Sequence, residues 1–136
     1  MAEFPLKIVT PDGLRYDGMA EKLVIRTSGG DAAILPGHIP YVAPLGMGEA
    51  MVVMDGSARY GACIGGMVTV MDGRTTLVAA SFEWAESIDS ERAKRSEERA
   101  NAVLSASACD ETERKLAQAR RKRALIRQRV AVRKSQ

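Results

Sequence analysis

Aromatic residues are scarce in this chain: two Phe, one Trp and three Tyr among 136 residues. Aliphatic side chains and methionines are therefore expected to fill its core, and the seven methionines are read as core filling rather than as a binding surface. There is one histidine, which excludes a histidine-based ligand cluster. The two cysteines, Cys63 and Cys109, are far apart, which gives neither a disulfide framework nor a zinc pattern. Both read as ordinary thiols of a reducing compartment. No basic-then-apolar leader opens the chain and no apolar run is long enough to span a bilayer. The expectation is an intracellular chain that docks on a membrane complex. The phosphate loop GxxxxGK(S/T), the dinucleotide pattern GxGxxG and metal-ligand spacings are all missing, as is a convincing nucleophile–base pair. The chain reads as non-catalytic, with no required cofactor and no metal.

Two further absences divide the chain. No glycine or proline follows Gly73, although it and what precedes it hold all twelve glycines and all five prolines. No acid follows Glu113, although ten bases do. Glycine and proline punctuate turns and weaken helices, so residues 1–86 are expected to form a turn-rich β domain and residues 87–136 a helical one. The β part carries a net charge of −4 and the helical part +7. A basic tail on an acidic body calls for an acidic partner.

Short apolar runs separated by turn signals fill the first part: Leu6–Thr10, Leu14–Tyr16, Lys22–Thr27, Ala32–Leu35, Tyr41–Pro44, Ala50–Met54, Arg59–Ile64, Met67–Met71 and Thr75–Ala80. Asp55-Gly56 and Asp72-Gly73 predict two hairpins. The alternation of Met51 with Val53, and of Val68 with Val70, marks half-buried strands. The fold class is α+β: a β-sandwich or flattened barrel followed by a pair of helices.

Ser87 or Asp89 can cap a first helix over about Ile88–Ala106. Asp89, Arg92, Ala93, Ser96, Arg99, Ala100 and Val103 then share one face. Asp110 can cap a second helix over about Glu111–Val132, with Glu113 three residues on. Ala117, Ala124 and Ala131 recur every seven residues, as do Leu116, Arg123 and Val130. So thin an apolar stripe barely offsets the ordering of two helices, which predicts a hairpin poised between closed and open forms. Arg120, Arg121, Lys122, Arg123, Arg127, Arg129, Arg133 and Lys134 make the basic tail. Some are a solvated face, but closing the hairpin brings Arg123 and Arg127 toward Arg92 and Arg99, and such a cluster calls for an anion.

Four stretches, taken in order, carry a resemblance: Phe4-Pro5-Leu6-Lys7-Ile8-Val9-Thr10-Pro11, Ile34-Leu35-Pro36-Gly37-His38-Ile39-Pro40, Ile64-Gly65-Gly66-Met67-Val68, and Ile88-Asp89-Ser90-Glu91-Arg92-Ala93. Together they resemble the epsilon subunits of bacterial F-type, proton-translocating ATP synthases over almost the whole chain. The resemblance implies a ten-stranded β-sandwich followed by a helical hairpin. It implies a non-catalytic place in the central-stalk rotor, against the gamma subunit and the c-subunit ring, on the cytoplasmic face of the plasma membrane. There the subunit couples proton translocation to ATP synthesis. It further implies that the extended helices inhibit ATP hydrolysis, the basic C-terminal helix meeting the alpha/beta catalytic hexamer.

By the same resemblance the loop carrying Asp31 and His38 contacts the rotor; the competing reading of both residues is turn formation. ATP is implied as a regulatory ligand, with Glu83, Ile88, Asp89, Arg92, Ala93, Arg99, Arg123 and Arg127 as its site. Glu83 and Asp89 would accept from adenine or ribose, Ile88 and Ala93 would supply an apolar wall, and the arginines would neutralise phosphates. The plainer reading makes Asp89 a helix cap paired with Arg92 on the surface. Two other classes compete. A nucleic-acid-binding module would use the basic tail, but the scarcity of aromatics and the acidic β half argue against nucleic acid as a partner. A small β enzyme would use His38 as general base, but no substrate suggests itself.

Overall fold

The computed structural model describes residues 2–106 and 110–135, without the side chains of Lys134 and Ser135. Cys109 and most of the turn between the helices lie outside the described residues. The chain separates into two compact units, Met1–Trp84 and Ala85–Gln136.

Among the described residues the first unit contains eight strands: β1 Phe4–Thr10, β2 Gly13–Ala20, β3 Lys22–Thr27, β4 Gly30–Ile34, β5 Tyr41–Pro44, β6 Met47–Met54, β7 Ser57–Met71 and β8 Arg74–Trp84. The sheet order is β2-β1-β8-β7-β6-β3-β4, with β5 also on β7. All pairs are antiparallel except β1 with β8. The β6–β7 and β7–β8 hairpins close through Asp55-Gly56 and Asp72-Gly73. In both, the Asp and the Gly have positive φ (51° and 74°; 53° and 74°), the geometry that matches strand twist.

Eight strands replace the expected ten. Arg59–Ile64 and Met67–Met71 form one strand, because Gly65-Gly66 bends β7 without ending it. Ile64 pairs with Ser81 and Gly66 with Ala79 in unbroken register. At the bend β7 changes partner on its other edge, from β6 to β5. Leu45 N donates to Gly66 O (2.8 Å) and Gly65 N donates to Gly46 O (3.1 Å), so both chains turn this corner together. Gly66 has φ 111°, and a Cβ there would run into the Val78 carbonyl and lie 2.8 Å from Ala79 Cα.

The sandwich interior collects Leu6, Ile8, Leu23, Ile25, Ile34, Val52, Val68, Leu77 and Phe82, all essentially fully buried. At about 1.5–3 kcal/mol for each large aliphatic side chain, this is a substantial core. Two expectations fail here. Met51 and Val53 do not face the core; Ala50 and Val52 do, with Val52 paired to buried Leu23. Every residue from Ala50 to Met54 is apolar, so alternation could not choose the face. Nor do the methionines fill the core: Met19, Met67 and Met71 are exposed, and Met54 only packs at its margin. Short branched aliphatics and Phe82 close the interior without them.

The core's edge is tied by Trp84. Its indole N–H donates to Arg15 O (3.0 Å), the Arg59 guanidinium lies 3.9 Å from the ring centre, and Phe82 packs edge-on. Arg15 Nε donates to Phe82 O (3.1 Å), binding β2 to β8 a second time.

The second unit holds α1 Ser90–Ser105 and α2 Glu111–Ala131, which pack on each other. Asp89 caps α1, its carboxylate accepting from Arg92 N at 3.0 Å; Asp110 caps α2, accepting from Glu113 N at 2.7 Å. Buried alanines carry the seam: Ala93 and Ala100 on α1, Ala117, Ala124 and Ala131 on α2. Alanine permits close approach but removes little surface from water. The large buried aliphatics of the two helices are Ile126 and Val130 alone among the described residues. Gln128 Nε2 adds one polar tie, donating to Glu97 Oε1 at 3.1 Å. The hairpin is thus much less tightly held than the sandwich.

Candidate functional site

Between the two helices lies a cleft of about 520 Å³ lined by Arg99, Arg120, Arg123 and Arg127, with Ser96, Ala100, Val103 and Ala117 as its floor and walls. The seam explains the space. Small residues at Ala100 and Ala117 leave room, and the neighbouring positions three and seven apart on α2 carry arginine. Among the described residues no carboxylate pairs with Arg99, Arg120 or Arg123. Like charges so collected repel, and an anion accepting from several guanidiniums relieves that repulsion.

Of the eight residues expected to hold a nucleotide, the cleft gathers three: Arg99, Arg123 and Arg127. Arg92 is exposed but does not line it. Asp89 serves as the α1 cap, as the plainer reading had it. Ile88 and Ala93 are only 3% and 5% exposed, already covered by protein rather than offered as an apolar wall. Glu83 belongs to the other unit, half-buried on β8 opposite Ala62. Arg120 is the lining residue that sequence reasoning left in the solvated tail. Its spacing of three from Arg123 and seven from Arg127 was the available signal.

Asp31 and His38 have separate surroundings. Asp31 is a strand residue of β4, not part of the loop, and its carboxylate meets Arg26 Nε at 2.7 Å across the β3–β4 pair. His38 lies in the turn that follows, where its main-chain N donates to Leu35 O (3.1 Å). Its Nδ1 is 2.7 Å from Ile39 O, and its ring meets Tyr41 edge-on. Backbone groups satisfy this histidine, which is the turn reading. Cys63 is buried beside the core, and burial pushes its thiol up to about 12. Among the described residues no group of acids, cysteines or histidine could hold a metal ion, and no helix is long and apolar enough to cross a membrane.

Sandwich and capped helical hairpin define an α+β chain of two units, the second carrying an arginine-lined cleft. Comparison with known proteins gives it a family. Residues 3–85 match the beta-sandwich domain of the ATP synthase Delta/Epsilon chain. The ATP synthase epsilon chain of Ruminococcus albus is 40% identical over 98% of this chain and 100% of its own length. That of Bacillus subtilis is 42% identical over 81% of this chain and 83% of its own. In solved structures, a chain of the Euglena gracilis mitochondrial ATP synthase (OSCP/F1/c-ring) superposes with a TM-score of 0.78 at 24% identity, covering 90% of this chain and 77% of that one. A chain of the Tetrahymena thermophila mitochondrial ATP synthase central stalk and c-ring gives 0.60 at 14% identity, covering 93% and 95%. These two likenesses speak for the fold. The chain belongs to the ATP synthase epsilon chain family, and it is a non-catalytic subunit.

Proposed function

We propose that this chain is a rotor subunit of the central stalk of a bacterial F-type ATP synthase, peripheral on the cytoplasmic face of the plasma membrane. Its sandwich docks on the gamma subunit and the c-subunit ring, with Asp31 and His38 on the docking side, and so takes part in coupling proton translocation to ATP synthesis. Family membership supports this reading, as do the central-stalk and c-ring assemblies that hold its structural neighbours. Recovery of gamma and c subunits with the tagged chain from detergent-solubilised membranes is the expected result. A chain recovered alone would sink the docking proposal.

The helical unit is the regulatory part. With ATP bound, the hairpin stays closed; released, its basic second helix reaches the acidic surfaces of the alpha/beta hexamer and inhibits ATP hydrolysis. The observation that carries this is the convergence of Arg99, Arg123 and Arg127 on one cleft between two helices held by an alanine seam. ATP is a regulatory ligand here, not a cofactor. The guanidiniums of Arg92, Arg99, Arg123 and Arg127 hold its phosphates. Isothermal titration of the full chain with ATP should give saturable heat that Arg123→Gln and Arg127→Gln each weaken about tenfold or more. Absence of heat up to millimolar ATP would refute the nucleotide role and leave the rotor role standing.

A further inference from the structure

Burial is not spread evenly along the two helices. On α2, residues 111–123 bury one side chain, Ala117, whereas residues 124–131 bury Ala124, Ile126, Val130 and Ala131. On α1, Ala93 and Ala100 are buried and nothing from Asn101 to Ser105 is. Val103 and Leu116, large aliphatics near the turn between the helices, are exposed. The opposite end is different. There the chain enters the hairpin through a short 3-10 turn, Ala85–Ser87, which packs on α2 and on the 3-10 turn Val132–Ser135 that continues it. Ala85 and Ile88 are buried, and Ile88 N donates to Ala85 O at 3.3 Å.

We infer that the hairpin is a clasp fastened at one end: Ile88, Ile126 and Val130 keep the start of α1 and the end of α2 in place, and the helices part from the turn end first. Local helix chemistry alone predicts the reverse. The start of α2 is capped by Asp110, while its other end lies close to the chain terminus, where helices fray. A cap, however, stabilises less than the burial of one large aliphatic side chain, and the base holds three. Burial therefore decides which end is held. The inference deepens the regulatory reading and rests on it only for its consequence. Movement starts where burial is thinnest, and the base sets how far the helices can separate.

The test is amide hydrogen exchange on the full chain without nucleotide, read as protection factors. The expected result is protection about tenfold or more higher over residues 127–131 than over residues 115–121. Val130→Ala should raise exchange about tenfold across both helices. Leu116→Ala, at an exposed position that does not line the cleft, should change it less than twofold. Loss of both helices in Val130→Ala, with Trp84 fluorescence still reporting a folded sandwich, would equally show that the base fastens them. Ile126→Val is the graded version, with a rise of about threefold. Protection that is highest over residues 115–121 and falls toward Ala131 overturns the inference, as does equal loosening by Val130→Ala and Leu116→Ala. None of these readouts involves ATP, so a failure of the nucleotide reading leaves this inference in place, and its own failure leaves that reading in place.

Discussion

Single residues set the chemistry of the sandwich. Burial holds the Cys63 thiol protonated up to about 12, and burial, then the nearby Asp55 and Glu3 carboxylates, raise Tyr16 against the lowering effect of Arg59. Both groups keep their protons more tightly folded than unfolded. The stability they contribute is whole below the unfolded thiol value of about 9 and is lost as pH rises from there toward about 12. In a Cys109→Ser background, Cys63 should resist iodoacetamide at pH 8 until urea unfolds the sandwich. Cys63→Ala should show a shallower loss of melting temperature between pH 9 and pH 11; prompt labelling of the native protein would contradict this. Gly66→Ala combines φ 111° with a collision against the β8 backbone. Strain and overpacking together should cost about 2–5 kcal/mol in urea denaturation followed by Trp84 fluorescence. A loss below 1 kcal/mol would show that the corner relaxes freely.

Elements were legible where backbone chemistry forced a choice. Asp55-Gly56 and Asp72-Gly73 had to be tight hairpins because each needs two residues at positive φ, and Asp110 had to cap α2 because its side chain precedes amides with no other partner. The face of β6 was misjudged because residues 50–54 are all apolar; Glu49, on the same face as Met51 and Val53, was the signal that Ala50 and Val52 turn inward. The continuity of β7 was not legible either, because a Gly-Gly pair marks a bend as readily as an end. Arg120 escaped notice because arginines surround α2 on several faces, and only the partner helix decides which of them meet. The alanine seam yields the element-scale prediction. Ala124 is fully buried between the helices, and Ala124→Leu should push them apart at a cost of about 1–3 kcal/mol. Trypsin should then cut within residues 90–131 several-fold faster, with the Trp84 unfolding transition of the sandwich unmoved. Unchanged cleavage would mean the seam is looser than its burial indicates.

At the scale of the whole molecule, an acidic, well-cored sandwich and a basic, thinly cored hairpin share one chain. In the proposed function the difference in core is what a regulatory ligand would act on: modest binding energy would be negligible beside the sandwich's burial energy but decisive for two helices joined through alanine. Saturating such a site a hundredfold over its Kd adds about 2.7 kcal/mol. The most direct measurement is amide hydrogen exchange on the full chain with and without ATP. The account predicts that amides of Ser90–Ser105 and Glu111–Ala131 exchange about a hundredfold more slowly with ATP at that excess, while the core strands do not change. Helices as protected as the core strands without ATP, and unaffected by it, would contradict the account.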